Sequence, residues 1–109
     1  MKREEGRVKV SLDGVVHEQA RLRILTYLAS SPGSETGFTE LRDELAFTAG
    51  NLSSQLKTLE NAGYVRISKR FADNRPFTGV ALTSAGSKAL DQYLADIESI
   101  LAAYKKRAD

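Results

Sequence analysis

The sequence predicts a mainly α fold that carries one small β-hairpin and ends in a long helix. Three observations predict it. Leu52, Leu56 and Leu59 recur at i, i+4 and i+7 within TAGNLSSQLKTLENAGYV, residues 48–65, which is the spacing of one helix face. Directly after this stripe, residues 64–71 alternate apolar and polar, a turn cluster follows at 72–76, and residues 77–82 return as a second strand. Finally, Leu90, Tyr93, Ile97, Ile100 and Tyr104 are spaced 3, 4, 3 and 4 apart, a heptad-like seam that Leu94 and Leu101 widen.

Length and composition bound what such a fold can do. The 109 residues suffice for one domain, 1–109, with a modest core. Hydrophobic residues make up 41% and charged residues 28%, as in ordinary globular proteins. No apolar run approaches the roughly 18–20 residues of a membrane span. MKREEGRVKV has no apolar core of a secretory signal, so a cytoplasmic location is expected by default. Cysteine is absent and histidine occurs once, which removes disulfides, thiolate chemistry and a structural zinc site together. No metal and no cofactor are expected. The net charge is only +2, so any nucleic-acid binding must rest on charge gathered on one face.

Taken in order, residues 1–12 form an N-terminal arm of mixed charge in which Val8, Val10 and Leu12 alternate with polar residues. A short strand, an ordered arm and a frayed end all fit that pattern. Asp13 is the expected N-cap of a first helix over residues 15–31, with Val16, Ala20, Ile24, Leu25 and Leu28 on its inner face. Turn residues at 30–34 end it. His17, alone and without cysteine partners, reads as a surface or packing residue. A second helix is expected over 39–47, capped by Thr39, with Leu41 and Leu45 inward. A tight turn joins it to the third helix, 49–62, which Thr48 caps and Gly63 ends in the left-handed region. Such a pair is either a helix-turn-helix or a plain αα-hairpin.

The third helix has an unusual back. At about 100° per residue, Gly50, Ser54, Lys57 and Asn61 lie opposite the leucines, flanked by Asn51, Ser53 and Thr58. Short hydrogen-bonding groups stand where a purely solvated helix carries Glu and Lys, which suits a helix that reads DNA. The hairpin adds Arg66, Lys69, Arg70 and Arg75 against the single Asp73. Arg75 and Pro76 are expected at its tip, within reach of a minor groove, and the other cations near phosphates. A solvated edge hairpin guarded by charge would show the same residues. Thr83 caps the last helix, 83–107, whose seam overhangs so small a core and is expected to pair with a second copy, the alternative being a helix folded wholly onto its own core. Lys105, Lys106 and Arg107 suit its C-terminal dipole.

RLRILTYL, FTELRDEL, GNLSSQLKTLENAGYV, the basic hairpin and LTSAG together resemble the small winged-helix transcriptional regulators related to the MarR and ArsR families. The resemblance covers about residues 12–104. It implies a winged helix-turn-helix at 13–82, with recognition helix 49–62 and wing 64–82, and a dimerisation helix at 83–107. By that resemblance Asn51, Ser53, Ser54 and Lys57 are DNA-facing and Arg75 is the wing tip. Thr58, Lys69 and Arg70 complete the expected DNA-binding set. Leu90, Tyr93, Leu94, Ile97, Ile100, Leu101 and Tyr104 form the expected dimer interface. Without cysteines, the metal sensing of ArsR-type proteins is not implied. The expected function is sequence-specific binding of double-stranded operator DNA as a homodimer, with an unknown effector. The second reading is a winged-helix module for protein–protein contact through the leucine seam. No Gly-rich phosphate loop, nucleophile–base arrangement or carboxylate pair points to an enzyme.

Overall fold

A computed structural model describes residues 10–108. Of the expected N-terminal arm, residues 1–9 lie outside the described residues, and 10–12 have no regular structure. The elements are α1 (Gln19–Ser30), β1 (Thr36–Gly37), α2 (Phe38–Glu44), α3 (Ala49–Asn61), β2 (Val65–Ala72), β3 (Arg75–Leu82) and α4 (Ser84–Ala108). The strands form one antiparallel sheet in the order β1-β3-β2.

α1 starts at Gln19, four residues later than the sequence suggests, and the reason is local. The Asp13 carboxylate accepts from the Val15 and Val16 amides at 2.8 and 3.2 Å, which closes a turn of its own. Glu18 then caps the helix proper by accepting from the Arg21 amide at 2.9 Å. Val16 is still fully buried. α2 also begins differently. Thr36 and Gly37 pair with Val80 and Gly79 as β1, so the chain enters α2 straight from a strand. Gly37, not Thr39, occupies the N-cap position, and no side chain caps it.

Both helices of the helix-turn-helix end in one backbone device. After α3, the Tyr64 amide donates to Leu59 O and the Gly63 amide to Glu60 O, both at 2.9 Å, with Gly63 at φ +83°. This is the Schellman closure, which needs a left-handed residue. After α2, the Phe47 amide donates to Arg42 O at 2.9 Å and the Ala46 amide to Asp43 O at 3.4 Å. Here the left-handed position is held by Ala46, at φ +60°.

The core is a single cluster. Ile24, Leu25 and Leu28 of α1 meet Leu41, Leu52, Leu56, Leu59, Val65, Val80, Leu90 and Tyr93. Leu52 and Leu59 are fully buried and Leu56 nearly so, so the leucine stripe anchors α3 as its spacing requires. α4 has 25 residues, about 37 Å at 1.5 Å per residue. That exceeds the 25 and 23 Å breadths of the molecule, and the last turns of α4 stand clear of the core.

Candidate nucleic-acid interface

Thr48 accepts from the Asn51 amide at 3.1 Å and fixes the start of α3. From there Asn51, Ser53, Ser54 and Lys57 are all exposed. Asn51 is also oriented from behind. Its side chain accepts from Gln55 Nε2 at 3.4 Å, and Gln55 accepts from Arg21 Nη1 of α1 at 3.0 Å. Gln55 and Arg21 do not stand out in the sequence, because only the packing of α1 beside α3 brings them together. Thr58 is placed differently from the expectation. It is half-buried and its hydroxyl donates to Ser54 O at 3.4 Å, back along the helix rather than outward.

The wing follows from its turn. Asp73 and Asn74, at φ +53° and +63°, make a two-residue turn of the mirror-image type that matches strand twist. The expected five-residue turn is therefore shorter, and Arg75 belongs to β3, opposite Ala72. Residues directly opposite in an antiparallel pair share a face, and faces alternate along each strand. Ile67, Lys69 and Phe71, with Thr78 and Pro76 across from Lys69 and Phe71, therefore form one face. Arg66, Arg70 and Arg75 lie on the other, so the four wing cations do not form one patch.

The first face looks onto α3. A groove of about 470 Å³ runs between them, lined by Ser53, Lys57 and Glu60 of α3 and by Ile67, Lys69 and Thr78 of the wing. Phe38 and Leu56 complete its lining. Lys57 and Lys69 thus both line one concave surface.

Arg70 has a different task. Its guanidinium forms an ion pair with Glu35, in which Nη2 donates to Oε1 and Nη1 reaches Oε2 at 3.3 Å. Nη1 also reaches Ser68 Oγ at 3.2 Å, and the group lies 4.8 Å over the Phe77 ring. The Glu35 carboxyl is held below its ordinary range by the hydrogen bond from Arg70, against some desolvation. To get there Glu35 crosses β3 over Gly79, where any Cβ would collide with its carboxylate. Arg70 therefore ties the wing to the loop before β1.

A second junction joins the wing base to α4. The Thr83 amide donates to Tyr64 O at 3.1 Å and its hydroxyl to Gly63 O at 2.6 Å. The same hydroxyl caps α4 by accepting from the Gly86 amide at 2.9 Å. Tyr64 in turn donates to Asp13, which raises the pKa of the phenol. Burial pushes the Asp13 carboxyl up, but the bonds from Tyr64, Val16 and Val15 outweigh it and hold the group below its ordinary value.

The seam of α4 divides. Leu90 and Tyr93, expected at a dimer interface, are 3% and 5% exposed and belong to the chain's own core. Tyr93 also hydrogen-bonds His17 Nδ1 at 2.7 Å, which gives the lone histidine a packing partner. The first half of the seam lies over α1, and one periodicity serves both surfaces. Ile97 is half-buried. Leu94, Ile100, Leu101 and Tyr104 are 41%, 37%, 49% and 58% exposed. Among the described residues, no cluster of three or more His, Cys, Asp or Glu gathers to hold a metal ion. No described helix is long and apolar enough to cross a membrane.

Four helices, the last of them long, and a small three-stranded antiparallel sheet drawn out as a wing define a winged helix-turn-helix protein. A family described as winged helix DNA-binding domain matches residues 20–101, and the chain belongs to it. An uncharacterized protein of Methanocaldococcus jannaschii is 31% identical over 83 residues, covering 76% of this chain and 88% of that one. The transcriptional regulator homologue protein from Pyrococcus horikoshii OT3 superposes with a TM-score of 0.76 at 29% identity, over 83% of this chain and 87% of that one. The S. aureus MepR–DNA complex superposes with a TM-score of 0.70 at 18% identity, over 89% and 77% of the two chains, and shares the fold. The winged-helix architecture expected from the sequence is the one found.

Proposed function

We propose that this chain is a homodimeric, sequence-specific double-stranded DNA binder that regulates transcription in the cytoplasm. The observation that carries the reading is the convergence of Lys57 and Lys69 on the groove between α3 and the wing. With α3 in a major groove, the phosphate strand that separates it from the next minor groove runs along this channel. Lys57 and Lys69 neutralise its phosphates, and Ser53 and Thr78 donate hydrogen bonds to them. Asn51 and Ser54, on the outward side of α3, meet base edges, with Asn51 pre-oriented through Gln55. Arg75 adds charge at the wing tip. Thr58 and Arg70, whose polar groups already have partners inside the chain, support the reading surface and do not touch DNA. That MepR, of the same fold, is solved with DNA supports the same mode of use.

Leu94, Ile97, Ile100, Leu101 and Tyr104 form the pairing surface of α4. In a dimer paired there, the two recognition helices must lie about 34 Å apart to enter successive major grooves on one face of the duplex. Selection from genomic fragments with the purified protein tests the reading. Enrichment of one two-fold-symmetric site is expected. Absence of enrichment at low salt would instead favour a protein–protein module.

A further inference from the structure

Phe71 is the most exposed large hydrophobic residue of the described chain, at 73%. It lies two residues from the two-residue turn of the wing, directly across from Pro76, which is also exposed. Among the described residues, no loop or helix covers this apolar pair. Two adjoining exposed apolar side chains at the tip of an otherwise charged hairpin offer a surface that an apolar partner can cover.

Its position says what receives it. Phe71 follows Lys69 on the same face of β2, about 7 Å further along the strand. Lys69 lines the groove shared with α3, and Phe71 lies past the end of that groove. Going outward from α3, the surface is first polar and cationic, then apolar. That order matches the order of a DNA surface read outward from a major groove: phosphates first, then the sugar walls and base edges of the adjacent minor groove. Arg75, on the opposite face of the same tip, supplies a charge flanking the apolar pair. Apolar wedges of Phe and Pro are a known physical means of engaging the minor groove, where sugars and base edges offer apolar surface.

We propose that the Phe71–Pro76 pair is an apolar minor-groove contact that adds affinity and sensitivity to the base pairs flanking the site. This rests on the DNA-binding reading above and names a further residue of the same surface. Arg75 then anchors the tip electrostatically, and Phe71 senses groove width and step flexibility.

The test compares wild type, Phe71→Ala and Phe71→Leu by fluorescence anisotropy. The probe is a duplex carrying the selected site with A·T flanks, with and without netropsin filling the flanking minor groove. Phe71→Ala should bind about tenfold more weakly, as expected for losing part of one buried phenyl group, and Phe71→Leu should fall between. The salt slope should not change, because no charge is removed. Netropsin should erase the difference between the variants. Equal affinity of Phe71→Ala and wild type, or a weakening that netropsin leaves intact, overturns the proposal. So does a changed mass of Phe71→Ala in light scattering, which would make the tip a contact between copies. Wild type that binds no duplex would instead overturn the DNA-binding reading itself.

Discussion

Gly86→Ala should destabilise the protein although it replaces a helical glycine with the best helix former. Gly86 is in the first turn of α4. A Cβ there would fall 2.9 Å from both Leu82 Cδ1 and the Tyr64 carbonyl carbon, and closer still to the Tyr64 oxygen. That oxygen accepts from the Thr83 amide at 3.1 Å, so moving aside breaks the junction of wing base and α4. Overpacking costs about 1–3 kcal/mol and a broken hydrogen bond about 1 kcal/mol. Helix propensity returns about 0.5–1 kcal/mol. The net loss is about 1–3.5 kcal/mol, or roughly 4–25 °C in Tm for a domain of this size. Gly50→Ala is the control, because nothing lies within 4 Å of its added methyl. It should raise Tm slightly. Both are read from thermal unfolding followed by circular dichroism at one fixed protein concentration. A Gly86→Ala protein that melts within about 3 °C of wild type would refute the steric reasoning.

Three more outcomes are expected. Ala46→Gly should raise stability by up to about 1 kcal/mol in urea unfolding, since it relieves a left-handed alanine in the turn between α2 and α3. Leu94→Arg with Ile97→Arg should yield monomers in light scattering, because both lie on the part of the α4 seam that the core leaves at least partly open. Asp13→Asn should lose stability in a pH-dependent way. The folded carboxyl sits below its ordinary 3.8, so its contribution is complete above that value and disappears as pH falls through the folded one. Urea unfolding should thus separate the two proteins near neutrality and bring them together in acid.

What could be read from the sequence followed locality. α3 was legible almost to the residue because its stripe, its Thr48 cap and its Gly63 stop all lie within one short window. β1 was not, since two residues carry no period and exist as a strand only through Val80 and Gly79. The wing cations were legible but not their division. That depends on the two-residue Asp73–Asn74 turn, which fixes the register and puts Lys69 on one face and Arg70 on the other. Glu35, which engages Arg70, stands 35 positions away in a loop. In α4 the heptad spacing gave the apolar face correctly. It could not mark where the face passes from the core, at Leu90 and Tyr93, to open surface at Leu94, Ile100, Leu101 and Tyr104.

The salt dependence of binding to the selected site tests the groove most directly. In wild type, log K should fall steeply with log salt. Lys57→Ala and Lys69→Ala should each reduce the slope by about 0.9 for every phosphate no longer neutralised, hence by close to 2 in a dimer, while Arg70→Ala should leave it nearly unchanged. Lysine variants with the wild-type slope, or an Arg70 variant that alone lowers it, would contradict a phosphate channel between α3 and the wing.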